Sequence, residues 1–588
     1  MTAAFSRPLP FGATLIGDGR TRFRLWAPAQ RAVMVDVENL GPVPMTRSDD
    51  GWFTAEAQCG AGTGYSYRLD DGRLVPDPAS RAQMNDVHGP SLVVDPALYR
   101  WRHAEWSGRP WREAVIYELH AGVLGGFRGV ERELPRLAAL GVTAVELMPV
   151  AAFPGRRNWG YDGVLPFAPA ASYGSPNDLK ALIDSAHGHG LMIFLDVVYN
   201  HFGPDGNYLA AYAPQFFHDD ISTPWGPAID FRRPEVRRFF TENALYWLTE
   251  FRFDGLRFDA VHAIAEPDWL DEMAAEVRAT VERGRHVHLV LEHDGNAASH
   301  LAGDFDAQWN DDGHHALHCL LTGEHDGYYA DYADDPACRL ARVLAEGFAY
   351  QGEPSRYRGG KPRGTPSRHL PPTAFVLFLQ NHDQIGNRAL GERLTLLTDP
   401  SALEAAITLL LLCPQIPLLF MGEEVASRSP FLFFTDHNEQ LAAAVREGRR
   451  REFASFASFL ARQGEALPDP NAIETFERSI PQPDPEHGQA CEELYRKLLA
   501  LRRAELMPRL DGARGLDAKV IGPAAVLARW RMNDGAVLSL ATNLGQAPVN
   551  APPPAGRVLF ESAAGAAKSL QAGSLAPRTT VALLEPAS

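Results

Sequence analysis

The sequence of 588 residues has few cysteines and no long uninterrupted apolar segment. Its five cysteines are scattered without paired spacing, which argues against a disulfide framework and against a zinc site. The most apolar stretch, residues 405–422, is divided by Pro414 and Pro417 into a helix and a strand, so we predict no transmembrane segment. The first fourteen residues lack the apolar core of a signal peptide, and we therefore expect a cytoplasmic protein.

Positive charge is also scarce. The 56 Lys and Arg residues are outnumbered by 73 Asp and Glu residues, which gives a net charge of −17 at pH 7. This excess of negative charge repels phosphate backbones and anionic lipid, so we expect neither a nucleic acid nor a membrane as partner. One local basic run, Arg446 with residues 449–451, is interpreted as a solvated helix face.

The periodicity of the sequence changes twice along the chain. Residues 1–100 consist of short alternating segments separated by Gly and Pro, which predicts a β-sandwich of the kind that binds carbohydrate. Residues 101–511 alternate short apolar runs with amphipathic helical segments, which is typical of a parallel sheet covered by helices. Residues 512–588 return to strands and predict a small C-terminal β-sandwich.

The middle segment is expected to be a closed barrel of the α/β class. It contains seven clear apolar runs and a weaker eighth run at residues 306–309, and eight strands favour a (β/α)8 TIM barrel. An open, doubly wound sheet is the alternative. The sequence shows no glycine-rich phosphate loop that would support this alternative.

Carboxylates stand at several predicted strand ends, where the loops of a barrel form its active site. A retaining glycosidase needs one ionised carboxylate as nucleophile and one protonated carboxyl as acid, roughly 5 to 5.5 Å apart. Asp259 suits the nucleophile, because Arg257 two residues earlier faces the same way and keeps it ionised. Glu292 suits the acid, and Asp383 would stabilise the positively charged transition state. Asp196 is expected to have a structural role and to hold either Arg257 or a loop amide.

Four motifs in the barrel segment resemble the four sequence blocks of the α-amylase superfamily. They are DVVYNH at 196–201, GLRFD at 255–259, LE at 291–292 and NHD at 381–383. The resemblance implies that Asp259, Glu292 and Asp383 are nucleophile, general acid/base and transition-state stabiliser. It also implies that His201, Arg257 and His382 line the subsite where the bond breaks, and that Tyr161 stacks on the sugar there.

A closer resemblance is to one family of that superfamily, the maltooligosyltrehalose trehalohydrolases. It is carried by WGYDGVLPF at 159–167, DAQWNDD at 306–312 and FMGEE at 420–424. It implies a retaining hydrolase that cleaves the α-1,4 bond beside the terminal trehalose of maltooligosyltrehalose, without a cofactor, and that acts after a maltooligosyltrehalose synthase. A transferase such as a glycogen branching enzyme and a non-catalytic glycan-binding protein are the alternatives.

Further residues are candidates for contact with the sugar. Tyr161 and Trp159 are expected to be sugar platforms, because the flat apolar faces of a pyranose suit aromatic rings. Asp311 and Asp312 either bind sugar hydroxyls or cap a helix. His314 and the adjacent His315 point about 100° apart on a helix, which is poor geometry for one ion, and we therefore predict no metal site.

Overall fold

The structure, a computed structural model, describes residues 4–453 and 467–587. The chain forms an N-terminal β-sandwich, a closed parallel barrel and a C-terminal antiparallel sheet. This architecture confirms the predicted fold class.

Two antiparallel sheets form the N-terminal sandwich. One contains Gly12–Gly17, Arg20–Trp26, Trp52–Gln58 and Thr46–Arg47, and the other contains Gly41–Pro44, Met34–Val37, Gly64–Arg68, Leu74–Val75 and Ser91–Leu92. Within Arg20–Trp26, Phe23 and Leu25 are buried while Arg20 and Arg22 are exposed, as the period of two in a strand requires.

Eight parallel strands close the barrel. They are β1 (Ile116–Leu119), β2 (Ala144–Leu147), β3 (Met192–Val197), β4 (Gly255–Phe258), β5 (His288–Leu291), β6 (Ala307–Trp309), β7 (Phe375–Phe378) and β8 (Ile416–Phe420). Each strand pairs with the next, and β8 pairs with β1. Closure rules out the open sheet, and the weak eighth run is strand β6.

Helices cover the outside of the barrel. They are α1 (Phe127–Leu140), α2 (Pro176–Gly188), α3 (Pro234–Thr249), α4 (Asp268–Thr280), α5 (Asp311–Thr322), α6 (Pro336–Glu346), α7 (Pro400–Leu412) and α8 (Gly488–Leu501). Local signals explain their starts: α2 begins with a capping box between Ser175 and Asp178. The apolar stretch 405–422 is divided between α7 and β8, as predicted. Among the described residues, none of the helices combines the length and the apolarity needed to cross a bilayer.

Two further elements pack against the barrel. A hairpin of Phe217–Thr223 and Gly226–Ile229 is inserted between β3 and α3. The C-terminal sheet orders Arg514–Gly522, Ala525–Arg531, Val537–Asn543, Thr579–Glu585 and Arg557–Glu561. It is fixed to the barrel helices by Trp530, whose Nε1 donates to the Leu344 carbonyl at 2.8 Å.

Candidate active site

Two carboxylates at neighbouring strand ends share one guanidinium. Arg257, on β4, donates from Nη1 to Asp259 Oδ1 at 2.9 Å and from Nη2 to Glu292 Oε2 at 2.8 Å. The arginine side chain is fully buried, whereas those of Asp259 and Glu292 are 10% and 18% exposed. Both carboxyl groups therefore face the same opening of the barrel, as the sequence analysis expected.

The orientation of Arg257 is fixed from two sides. Asp196, at the end of β3, accepts a hydrogen bond from Nη1 at 2.6 Å. The indole of Trp309 lies against the guanidinium, with 4.2 Å from the guanidinium carbon to the ring centroid. Asp196 thus holds Arg257 in place, as predicted, and burial raises the pKa of Asp196 itself to about 7.

Two further groups donate hydrogen bonds to the two carboxyl groups. Asn200 donates to Asp259 Oδ2 at 3.0 Å. Ala260 adopts a left-handed conformation with φ of 39°, and its amide donates to Glu292 Oε2 at 2.8 Å. Burial raises the pKa of Glu292, and the Asp259 carboxylate adds to the increase while Arg257 opposes it. This direction is the one that a general acid needs near neutrality.

His382 carries positive charge into the site. Its amide donates to Glu118 Oε2 at 3.0 Å, its Nδ1 contacts the other Glu118 oxygen, and its Nε2 lies 2.8 Å from Tyr161 Oη. Burial acts to lower the pKa of His382, but the carboxylates of Asp383 and Glu118 outweigh it and raise the pKa to about 9. Tyr161 Oη donates to Asp196 at 2.6 Å, which links His382 to the arginine network.

The side chain of Asp383 faces the cleft. It lies in the first turn of the short helix His382–Gly386, whose N-cap is Asn381. Its side chain is 32% exposed, and one oxygen, Oδ2, lies 3.5 Å from His382 Nε2. The other oxygen accepts from Asn387 at 3.1 Å. Among the three predicted catalytic carboxylates, Asp383 is the most exposed, as contact with substrate requires.

His201 supports an aromatic residue that the sequence analysis did not identify. Its Nε2 lies 3.0 Å from the Tyr161 carbonyl oxygen, and its ring stacks on Trp225 with centroids 4.9 Å apart and planes at 13°. Trp225 is in the turn of the inserted hairpin and is 48% exposed. Its only sequence signal was an aromatic residue between Pro and Gly in a loop, and no motif includes it.

The expectation that Trp159 is an open sugar platform is wrong. Trp159 is only 4% exposed. Its indole stacks on Phe431 with centroids 5.2 Å apart, and its Nε1 donates to the Leu432 carbonyl at 2.9 Å. The ring presents its edge to His382 and so supports that histidine from behind. Tyr161 stays partly exposed at the site, with its ring parallel to that of His382 at 5.1 Å.

The two predicted aspartates of α5 have different surroundings. Asp312 is fully buried, and its carboxylate accepts from Arg363 at 2.7 Å, from Asn296 at 2.9 Å and from backbone amides 349 and 350. Its carboxylate is thus committed to the protein interior, and the predicted role in sugar binding is wrong for Asp312. Asp311 is partly exposed, and its contact with the Gln384 amide is a long one, at 3.5 Å.

Two buried glutamates beneath the site were also missed. Glu118 on β1 holds His382, and Glu146 lies opposite it on β2. Glu146 is fully buried, and neither of its oxygens has a hydrogen-bond partner in the described structure. Burial raises the pKa of Glu146 well above its usual range and so favours the uncharged form. A carboxyl in an otherwise apolar strand was the signal that could have identified both residues.

The basic run was only partly interpreted correctly. Arg449 is not a solvated residue, because its guanidinium lies 5.2 Å from the ring centroid of Phe433 and donates to the Gly386 carbonyl at 3.2 Å. It joins the helix Glu439–Phe453 to the short helix that carries Asp383. Burial lowers the pKa of Arg449. Arg450 is exposed, as predicted.

The adjacent histidines of α5 pack against aromatic rings. The rings of His314 and His315 lie at 76° to each other, and they pack against Phe378 and Tyr328. A different group, His218, Asp230 and Glu266, has its ligating atoms within 4.8 Å of one another.

That group is already compensated by protein charge. Arg232 donates to both oxygens of Asp230 at 2.7 and 2.9 Å. His218 Nε2 lies 3.0 Å from Glu266 Oε1. We therefore assign these residues a structural role at the base of the hairpin.

Comparison with known proteins agrees with this site. The family model described as "Alpha amylase, catalytic domain" matches residues 98–215, and the "Domain of unknown function (DUF3459)" matches residues 513–583. The malto-oligosyltrehalose trehalohydrolase of Deinococcus radiodurans is 43% identical over 506 residues, which are 84% of this chain and 83% of that protein. The enzyme of the same name from Saccharolobus solfataricus is 42% identical over 460 residues, 76% of this chain and 80% of that protein.

A solved structure extends the similarity to the whole fold. A crystal structure from Salmonella typhimurium, described as a candidate α-amylase, is 46% identical and matches with a TM-score of 0.92 over 98% of this chain and 100% of that chain. The barrel, the motifs and the extent of these matches agree. This chain therefore belongs to the maltooligosyltrehalose trehalohydrolases, a family of glycosidases of the α-amylase superfamily.

Proposed function

We propose that this protein hydrolyses the α-1,4 bond next to the terminal trehalose of maltooligosyltrehalose and releases trehalose and a shortened maltooligosaccharide. The observation that carries the chemistry is the pair Asp259 and Glu292 on one guanidinium, with the pKa of Glu292 raised by burial. The choice of substrate is supported by the names of the relatives.

The first step forms a covalent glycosyl intermediate. An Asp259 oxygen attacks the anomeric carbon of the sugar that precedes trehalose, while the bond from that carbon to the glycosidic oxygen breaks. Glu292 gives its proton to that oxygen, and trehalose leaves as a neutral alcohol. Arg257 holds the Asp259 carboxylate in position for the attack, because its Nη1 donates to Oδ1 at 2.9 Å.

The second step returns the enzyme to its starting state. Glu292, now a carboxylate, removes a proton from a water molecule, and the water oxygen attacks the same carbon. The bond to Asp259 breaks, and Glu292 is protonated again. In both steps the transition state carries positive charge on the sugar ring, and the exposed carboxylate of Asp383 is placed to stabilise it.

Several residues around this centre are proposed to bind the sugars. Tyr161 forms one wall, and the buried His382 supports it, with its ring stacked on that of Tyr161 and its Nε2 2.8 Å from Tyr161 Oη. His201 and Trp225 form a second, stacked wall from the inserted hairpin. Asp311, which has few protein partners, is proposed to bind substrate hydroxyls.

The substrate must be made by a reaction that converts the reducing end of an α-1,4 glucan into a trehalose unit. We propose that a maltooligosyltrehalose synthase supplies it and that both reactions occur in the cytoplasm. The same site would accept related α-glucans more slowly, because the bond that is cut is the same.

The test compares two substrates of equal length. Maltotriosyltrehalose and maltopentaose are incubated separately with the protein, and the products are separated by chromatography, with Asp259→Asn as the inactive control. The proposal predicts trehalose and maltotriose at a kcat/KM at least about tenfold above that for maltopentaose. Equal cleavage of both substrates contradicts the proposed specificity, and new α-1,6 bonds in amylose would identify a branching transferase instead. An Asp259→Asn variant as active as the parent protein would contradict catalysis by Asp259, and cleavage of neither substrate by the parent protein would indicate a non-catalytic glycan-binding role.

A further inference from the structure

A second cavity lies at the opposite end of the barrel from the catalytic carboxylates. It has a volume of about 320 Å³, near the lower limit for small-molecule sites. Its wall includes His288, the first residue of β5, whereas Glu292 follows the last residue of that strand. Four residues of strand separate them by roughly 13 Å, so a ligand in this cavity does not contact the catalytic cleft.

Basic side chains dominate the wall of this cavity. Three arginines and two histidines line it, against two aspartates: Arg112, Arg278, Arg285, His286, His288, Asp306 and Asp511. This is unusual in a chain whose net charge is −17. Arg278 pairs with Asp306 at 2.6 Å, and Arg112 pairs with Asp511 at 2.6 Å, so each aspartate is already neutralised.

The positive charge of the third arginine, Arg285, has no carboxylate in close contact among the described residues. The terminal nitrogens of Arg285 donate to the carbonyls of Leu248 and Phe253, and its nearest carboxylate, Asp254, is 3.9 Å away. Asp254 is itself shared with His187 at 3.0 Å and with the indole of Trp106 at 2.9 Å. One guanidinium charge in the cavity wall is therefore not matched by a carboxylate of its own.

Two buried nitrogen atoms in the cavity wall lack a hydrogen-bond partner in the described structure. Arg285, whose side chain is 4% exposed, has an Nε without a hydrogen-bond partner in the described structure. His288 Nδ1 also makes no hydrogen bond there, and its nearest carboxylate oxygen, Asp306 Oδ1, is 3.7 Å away. Buried nitrogen atoms of this kind are rare in folded proteins, because an unmet hydrogen bond costs free energy. At the mouth, the partly exposed Arg112 and the exposed His286 add further donors.

We propose that this cavity binds the phosphate group of a small molecule, at a site separate from the glucan cleft. Guanidinium groups match the oxygens of phosphate in geometry and charge, and the mixed wall of arginine and histidine supplies several such donors. The cavity has room for more than a bare phosphate ion, and a sugar phosphate and inorganic phosphate share the chemistry required. The proposal does not depend on the glucan substrate.

The test is isothermal titration calorimetry of the full-length protein, without glucan and at constant ionic strength. Inorganic phosphate and glucose 6-phosphate are the probes, and chloride is the reference. Two variants change the mouth of the cavity in opposite directions: Arg112→Ala removes a donor, and Asp511→Asn frees Arg112 from its competing carboxylate. The Arg112–Asp511 pair is partly exposed, so neither variant should disturb folding. Arg450→Ala, on an exposed helix position, is the matched control.

We expect saturable binding at one site in the parent protein. Arg112→Ala should weaken it by about tenfold, Asp511→Asn should tighten it by about threefold, and Arg450→Ala should leave it unchanged. Glucose 6-phosphate binding more tightly than inorganic phosphate identifies a sugar phosphate as the ligand, and equal binding identifies free phosphate. Absence of saturable heat at millimolar phosphate, or equal affinity in all variants, overturns the proposal.

Discussion

Asp259 and Glu292 accept hydrogen bonds from the two terminal nitrogens of the same arginine, Arg257. The two acids come from neighbouring strands, so the register of β4 and β5 sets their relation before any substrate binds. Burial raises the pKa of Glu292, and the adjacent Asp259 carboxylate adds to the increase. Asp259 and Glu292 are therefore placed to act as nucleophile and acid on one sugar.

Replacement of the acid should remove most of the activity. Glu292→Gln keeps the shape of the side chain but cannot donate a proton, so kcat should fall by about 10³-fold. Azide, which needs no general base to attack the glycosyl intermediate, should restore part of the rate with an activated substrate.

The matched control for this variant is Glu146→Gln. Glu146 is buried beneath the site, where burial favours its uncharged form, so its replacement by the amide should leave kcat within about twofold of the parent value. If both variants lose activity equally, the assignment of Glu292 as the acid is contradicted.

The raised pKa of His382 predicts a pH dependence of stability. The folded state retains the His382 proton up to about pH 9, whereas the unfolded chain releases it near pH 6.5. This contribution, roughly 3 kcal/mol, is fully present below about pH 6.5 and is lost as the pH rises to 9. Urea unfolding at several pH values should show the decrease in the parent protein and a smaller one in His382→Gln. A variant at the exposed His369, His369→Gln, should behave like the parent, and an identical decrease in His382→Gln would refute the account.

The neighbouring aspartates of α5 should respond differently to the same change. Asp312→Asn leaves Arg363 without its buried partner, and the free energy of unfolding should fall by roughly 3 kcal/mol. Asp311→Asn should leave stability unchanged, because Asp311 is partly exposed and its contact with the Gln384 amide is long, at 3.5 Å. Its kcat/KM should fall by about tenfold through the loss of a hydrogen bond to substrate. Unfolding curves and kinetics on maltotriosyltrehalose together measure both effects, and a reversed pattern would contradict the placement of the two residues.

Trp225 should contribute to substrate binding from the inserted hairpin. Trp225→Ala removes an exposed ring stacked on His201, and KM should rise by about two- to tenfold with a smaller change in kcat. Trp225→Phe retains an aromatic ring and should recover most of the affinity. A KM that is unchanged in both variants would exclude the ring from the substrate site.

The parts of the molecule that depend on local pattern could be predicted from the sequence. The eight strands have apolar runs of their own, and Arg257 and Asp259 lie in one motif with a spacing of two. The wrong predictions concern side chains that are buried in the folded protein. Trp159 and Asp312 have side chains that suit sugar binding, but Phe431 and Arg363, which are distant in sequence, cover them.

The residues that were missed have the same physical cause. Trp225 reaches the site only because the hairpin folds back onto His201. Glu118 and Glu146 face each other only in the paired register of β1 and β2. The basic cavity collects its arginines from the turn before β1, from α4 and from the loop before β5. No spacing along the chain shows these contacts.

The stereochemistry of the product tests the central claim most directly. Maltotriosyltrehalose is mixed with the protein in an NMR tube, and the new reducing end of the released maltotriose is observed before mutarotation. Covalent attack by Asp259 followed by attack of water on the same carbon predicts the α anomer first. Initial release of the β anomer would mean a single displacement by water and would contradict Asp259 as nucleophile.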